Sequence, residues 1–273
     1  MLTEADIALV AREVKARTGA TITPELAGPV EIKLTPLARR ESFMSVSELV
    51  TAARGRPDGA LWNLIADALA QSDTRFFRDR DLFKRLHKEI IPAAAERRGA
   101  ASIRIWSAGC STGQEPYSIA MLLEDMRAEG FAHPFDSIAT AHSGRLLAKA
   151  RAGLYTQFEV QRGLPIRKLI THFEKAGDLW RICDRMRAAV RFEHHNLLKH
   201  PGGLGEFDII MFAHVLPGLD PNIRAETLTR VSEVLAPGGV ILLGAGETLP
   251  SGCAGFQIED GVASRASGAQ AAA

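Results

Sequence analysis

Apolar residues recur at helical spacing through the first third of the chain: Ile7, Val10 and Val14, then Phe43, Val46 and Leu49, then Leu61, Ile65 and Leu69. Gly19 and the stretches 24–29 and 55–59, rich in glycine and proline, interrupt this pattern and predict turns between helices. A helix carrying Phe83, Leu86, Ile90 and Ile91 is predicted to end near Pro92, so residues 1–92 read as an N-terminal helical domain. Beyond it the period changes. Strand-like runs at 102–107, 137–140, 190–193, 208–212 and 239–243 alternate with helical stretches, which is the order of a doubly wound α/β domain over 93–250. Between Leu164 and Arg191 the phasing differs again. There ITHFEKAGDLWRI predicts a hairpin turning at 175–178, followed by a short helix at 184–189. A small antiparallel β-subdomain is therefore expected as an insert at about 164–191. Residues 251–273, ending ASGAQAAA, have little to bury and are expected to form a flexible tail.

The run from Ile103 to Leu123, IRIWSAGCSTGQEPYSIAMLL, carries the strongest chemical signal. Ile103, Ile105 and Trp106 suit a buried strand, Gly109 and Gly113 a tight turn, and Pro116 the first turn of a following helix. Strand, glycine turn and helix in succession build a crevice at a strand's carboxyl end, where α/β sheets bind nucleotide-type cofactors. The turn alone also suits plain helix-on-sheet packing.

Composition narrows the partners. With 273 residues, 46% hydrophobic, the chain can bury one sizeable core and a smaller satellite. A net charge of +1 argues against broad capture of nucleic acid or anionic membrane, and no segment reads as a membrane span. Cys110, Cys183 and Cys253 are odd in number and lack CxxC spacing, which fits free thiols and a cytoplasmic location. His194, His195, His200 and His214 lie near one another in sequence. Adjacent His194 and His195 on a strand point to opposite faces, however, and no carboxylate or thiolate completes a ligand set, so no metal site is expected.

The string SAGCSTGQEPYSIAM, with TRFFRDRDLF at 74–83 and LLAKARAGLYTQFEVQRGLP at 146–165, resembles the CheR family of chemotaxis receptor methyltransferases. The resemblance runs from ARTG at 16–19, through LWRI at 179–182 and HNLL at 195–198, to LAPGGVILLGAGETL at 235–249. It implies a Rossmann-like methyltransferase domain that transfers a methyl group from S-adenosylmethionine (SAM) to glutamate side chains of chemoreceptors, leaving S-adenosylhomocysteine. The cytoplasmic region of those receptors would be the partner, the inserted subdomain would meet the receptor's tail, and the enzyme would be a monomer. On the family's pattern Glu115 meets the ammonium end of SAM, Gly109 lies against it, and Ser72, Thr74 and Arg78 reach it from the helical domain. Arg78 is the catalytic candidate. Asn196 and Leu197 fall at the adenine end, and Ala141, His214 and Val215 at the ends of the second and fourth strands. Phe76 and Phe77 are expected to pack the domains together.

Departures from the family concentrate at these positions. Ala141 stands where the family has an aspartate for the ribose hydroxyls, with His142 and Ser143 as possible substitutes. Ala213, His214 and Gly218 replace arginine, asparagine and tyrosine, and Ser72 and Asp73 replace asparagine and glutamate. Two readings follow: an active protein-glutamate methyltransferase, or a homologue that binds receptor or partner without methylating.

Overall fold

In a computed structural model, residues 2–56, 58–253 and 255–266 are described. Helices α1 (Glu4–Thr18), α2 (Ala27–Arg40), α3 (Val46–Gly55) and α4 (Ala60–Leu69) pack Val10, Leu34, Leu49 and Ile65 into a shared core without exposure. Thr3 caps α1 by accepting from the Asp6 amide while its own N–H and hydroxyl donate to the Asp6 carboxylate, a reciprocal box. The break expected at 24–29 is shorter than that: a single 3-10 turn precedes α2, whose first turn accommodates Pro29 because amides there have no helical partner.

The helix expected to stop near Pro92 continues to Arg98. It runs as α5 (Arg80–Arg85), a π-turn at Leu86–Ile90 and α6 (Ile91–Arg98). The widened turn comes just before Pro92, where a ring and a missing N–H would otherwise break the ladder. This helix does not belong with α1–α4. Its Leu82, Leu86, Ile91 and Ala94 pack on the sheet, against Ile103, Ile105 and Ile209.

The main sheet contains β1 (Ile103–Ala108), β2 (Phe135–Ala141), β6 (Arg191–His194), β7 (Phe207–Met211) and β8 (Leu235–Leu242), all parallel, with α7 (Gln114–Ala128), α8 (Gly144–Ala152) and α12 (Pro221–Ser232) as crossovers. Both faces are covered, so β1 is buried along nearly its whole length. Alternate residues divide between the layers: Ile103 and Ile105 face α6 and α7, while Trp106 and Ala108 face Leu228 and Val231 of α12. Trp106 Nε1 donates to Thr140 Oγ1 at 2.9 Å, pinning β1 to β2.

The insert is larger than the hairpin expected. A short strand β3 (Leu154–Thr156) joins β4 (Phe173–Ala176) and β5 (Leu179–Ile182) in a three-stranded antiparallel sheet ordered β3-β5-β4, flanked by α9 (Gln157–Gln161), α10 (Ile166–His172) and α11 (Asp184–Ala188). Part of the expected tail is also ordered. β9 (Phe256–Glu259) and β10 (Val262–Arg265) form a hairpin whose β10 runs antiparallel to β8, with Ala263 fully buried; residues 267–273 lie outside the described part. The seven-stranded order is thus β6-β2-β1-β7-β8-β10-β9, and the direction of winding reverses at β1 and β7. No described helix is long and apolar enough to cross a membrane.

One contact joins insert, sheet and linker. Phe76 is fully buried, edge-on to Tyr155 at 5.1 Å and Phe173 at 5.6 Å, whereas Phe77 packs on Phe83 at 5.2 Å. Gly163 lies directly against this segment: at φ +90°, a Cβ there would sit 2.1 Å from the Phe76 carbonyl oxygen. Gly163→Ala is expected to destabilise the fold by about 2–4 kcal/mol through combined strain and overpacking, measured by chemical denaturation. A loss below 1 kcal/mol would show that the two loops are free to separate.

Candidate functional site

A cleft opens above the carboxyl ends of β1, β2, β6 and β7, at the point where the strand order reverses and α/β sheets bind ligands. It is lined from these strand ends, from the segment after α4 and from the helical layer. Its roof comes from the helical layer, through Val14, Thr18, Ala66 and Leu69. The roof is fastened at two places. Asn196 Nδ2 donates to the Arg17 carbonyl at 2.6 Å, and Lys15 pairs with Asp220 at 2.6 Å.

The structure brings Thr74, Arg78, Gly109, Glu115, Ala141, Asn196, Leu197, His214 and Val215 to this one cleft. Ser72 is elsewhere. It lines a separate groove with Lys33, Arg40 and Arg145, because the chain after α4 is extended and its neighbours Gln71 and Asp73 take the side facing the cleft. Asn196 lines the cleft, but its carboxamide holds the scaffold: besides the Arg17 contact, Oδ1 accepts the Leu198 N–H at 3.0 Å.

The turn after β1 is built for close approach. Gly109 and Cys110 both donate to the Thr140 carbonyl, at 2.9 and 2.8 Å. Gly109 has φ +82°, and a Cβ on it would meet Val215 Cγ2 at 3.1 Å, so only glycine leaves the space between β1 and the β7 end open. Burial pushes the Cys110 thiol far up, which fits a small packed side chain rather than a nucleophile.

Glu115 sits in the first turn of α7. Burial raises its pKa to about 7, the Ser107 hydroxyl and the Arg78 guanidinium act in the opposite direction, and Asp79 and Glu247 add to the rise. Burial thus outweighs the Arg78 guanidinium at this carboxylate. Arg78 reaches toward Asp73, at 3.4 Å from its carbonyl and 3.9 Å from its carboxylate, and its Nε is buried without a partner. An acid awaiting a cation and a guanidinium with an unused donor suit a zwitterionic amino-acid end such as that of SAM.

Three residues that buttress the cleft were not marked by the sequence reading. Asp79 Oδ2 accepts from His214 Nε2 at 2.6 Å and from the Ala245 N–H at 2.9 Å. Glu247 accepts from the His214 N–H at 3.0 Å and also from the Gly244 N–H. Asp79 and His214 both have φ +61°, a strained backbone that this paired network holds in place. Gln71 is the third: its side chain occupies the space beside Gly218, where a Cβ would lie 2.8 Å from Oε1. Asp79 precedes a helix, where an acid reads as an ordinary cap, so only its three-dimensional pairing reveals it.

Residues 72–262 match a family profile described as "CheR methyltransferase, SAM binding domain". A chemotaxis protein methyltransferase of Vibrio parahaemolyticus is 37% identical over 226 residues, covering 81% of this chain and 80% of that protein. Chemotaxis protein methyltransferase Cher2 of Pseudomonas putida is 32% identical over 224 residues, covering 81% and 82%. Chemotaxis protein methyltransferase 1 of Pseudomonas aeruginosa is likewise 32% identical over 224 residues, covering 81% of each chain. With this match over most of its length, and with the glycine turn, Glu115 and Arg78 gathered at the switch point of its sheet, the chain belongs to the CheR family of SAM-dependent methyltransferases.

Proposed function

We propose that this enzyme esterifies glutamate side chains in the cytoplasmic region of chemoreceptors. The observation that supports it is the meeting of Glu115, Arg78 and Gly109 in one cleft whose family uses SAM. SAM supplies an electrophilic methyl on a sulfonium. A glutamate acceptor has a pKa of about 4.3 and is already ionised at neutral pH, so no general base is required. The protein's work is alignment and exclusion of water. Glu115 would hold the ammonium group of the cofactor, and Gly109 lets the backbone approach it. Leu197 and Val215 provide apolar walls around the Gly109 turn. Arg78, whose Nε is buried without a partner in the protein, would orient the carboxylate of the cofactor's amino-acid end. The Asp79–His214 pair fixes the opposite wall, occupying space that the family gives to asparagine.

Methyl-labelled SAM incubated with receptor cytoplasmic fragments tests this reading. Label that is released by mild base and disappears from fragments whose glutamates are changed to alanine is the expected result. Label stable to base would rule out carboxyl esters.

Two variants examine the cofactor end. Glu115 is held above its unfolded value of 4.5 in the folded protein, so the native state binds the proton more strongly. Stability of the unliganded enzyme is therefore expected to fall as pH rises from about 4.5 to 7. Glu115→Gln, which removes this ionisation, is expected to melt higher than the parent at pH 8. It is also expected to bind SAM roughly 10- to 100-fold more weakly there, with the deficit shrinking toward pH 6, where the parent carboxyl is mostly protonated. A deficit independent of pH in calorimetric titrations would remove Glu115 from the ammonium site.

Arg78→Lys keeps the charge but loses the planar fork, and is expected to lower kcat/KM about 100-fold with little change in melting temperature. Unaltered turnover would exclude Arg78 from orienting either reactant.

A further inference from the structure

Gln71 spans the opening of the cleft between two strand ends. Its carbonyl accepts the Ser111 hydroxyl at 3.4 Å, which ties the backbone of residue 71 to the turn after β1. On the other side its carboxamide lies against Gly218, in the loop after β7, where a Cβ would fall 2.8 Å from Gln71 Oε1 and 3.4 Å from Nε2. β1 and β7 are neighbours in the sheet, and Gln71, Ser111 and Gly218 all line the cleft. Gln71 is exposed, so its side chain stands at the rim, where an incoming macromolecule arrives.

Glycine at 218 serves this side chain and not its own backbone. Its φ lies outside the left-handed region, its N–H donates to the Val215 carbonyl at 3.2 Å, and its carbonyl accepts the Thr21 N–H at 3.1 Å. A residue with a side chain would hold the same conformation. What it would take away is the room that the carboxamide uses. The Gln71 carboxamide makes no hydrogen bond with any described residue, so both its N–H donors and its oxygen are available to a ligand.

A carboxylate acceptor presents two oxygens. The lone pair of one forms the O–CH3 bond as the S–CH3 bond breaks; that electron pair stays on sulfur, the sulfonium becomes a thioether, and no proton moves. The other oxygen needs a donor that fixes the line of approach. A guanidinium in that place would draw charge out of the nucleophile, whereas a neutral amide N–H orients it through a weaker bond. We propose that Gln71 Nε2–H holds the non-attacking oxygen of the acceptor glutamate, with Gly218 keeping the room for it. Gln71 is thus an acceptor-binding residue. This rests on the carboxyl-methylation reading and names the group that receives the substrate.

Steady-state kinetics with receptor cytoplasmic fragments, set beside calorimetric titration with S-adenosylhomocysteine, test it. Gln71→Ala is expected to lower kcat/KM for the fragment about tenfold while S-adenosylhomocysteine affinity stays within about twofold. Gln71→Glu fills the same space but sets one carboxylate against another, and is expected to lower kcat/KM about 100-fold; a side chain that only filled space would leave it unchanged. Gly218→Ala pushes on the end of a flexible side chain. It is expected to cost about tenfold in the parent and less than about twofold in the Gln71→Ala background, because the two residues act through one contact. An unchanged kcat/KM in both Gln71 variants, or a fall in S-adenosylhomocysteine affinity as large as the fall in kcat/KM, overturns the proposal and leaves the methyltransferase reading intact. Absence of transfer by the unaltered enzyme overturns that reading and the acceptor site with it.

Discussion

The seating of Phe76 between Tyr155 and Phe173 is the contact on which the cleft's geometry depends. The segment connecting α4 to α5 has no regular structure over residues 70–79, yet it must deliver Thr74 and Arg78 to a fixed place over the sheet. A fully buried aromatic ring supplies the free energy to hold it, on the order of 3 kcal/mol by large-to-small comparisons. Part of that offsets backbone strain at Phe77 and Asp79, whose φ values are +46° and +61°. The strained residues are then locked by specific bonds, Phe77 N–H to Ser118 Oγ at 3.0 Å and Asp79 to His214. The antiparallel insert thereby takes part in shaping the cofactor cleft from behind, in addition to whatever its outer surface meets.

Electrostatics at the cleft follow from the same placement. Glu115 is opposed by the Arg78 guanidinium, with Asp79 and Glu247 adding negative charge beside it, while Asp73 is bonded by Arg162 as well as approached by Arg78, so acid outweighs base around Glu115. Such an arrangement costs stability and favours a cationic ligand, a common opposition between folding and function. The distal end of the sheet is organised differently. There Asp208, nearly buried, receives both Arg98 Nε and the Arg104 N–H, at 2.7 and 2.9 Å, and its charge is fully matched.

Much of the scaffold was legible because its signals are local. Ile103, Ile105 and Trp106 announce a strand covered on both sides, and the change from helical to strand period marks where the sheet begins. Pro92 misled because a π-turn upstream absorbs the disruption, and nothing in the local sequence reports that. The β9–β10 hairpin was hidden by its sparse burial, yet it carried a usable sign: Asp260-Gly261, both with positive φ, is the dipeptide preferred by tight two-residue hairpins. Motif order pointed to Glu115, Gly109 and Arg78, which line the cleft, whereas Asp79, Gln71 and Glu247 act through partners more than 30 residues away or through space left by a smaller side chain. Ser72 shows the converse limit, since matching a motif position does not decide which side of an extended chain faces the ligand.

The Asn196 carboxamide, holding the end of α1 over the sheet, has a consequence for what counts as the cofactor-binding unit. The family profile begins at residue 72, but Val14, Thr18, Ala66 and Leu69 form one wall of the cavity. A polypeptide starting at that boundary would contain every matched residue, yet leave a hydrophobic trough open to water and an amide donor with no acceptor. The cleft is therefore built from more of the chain than the matched segment, and the first helix is as much a part of its wall as the glycine turn.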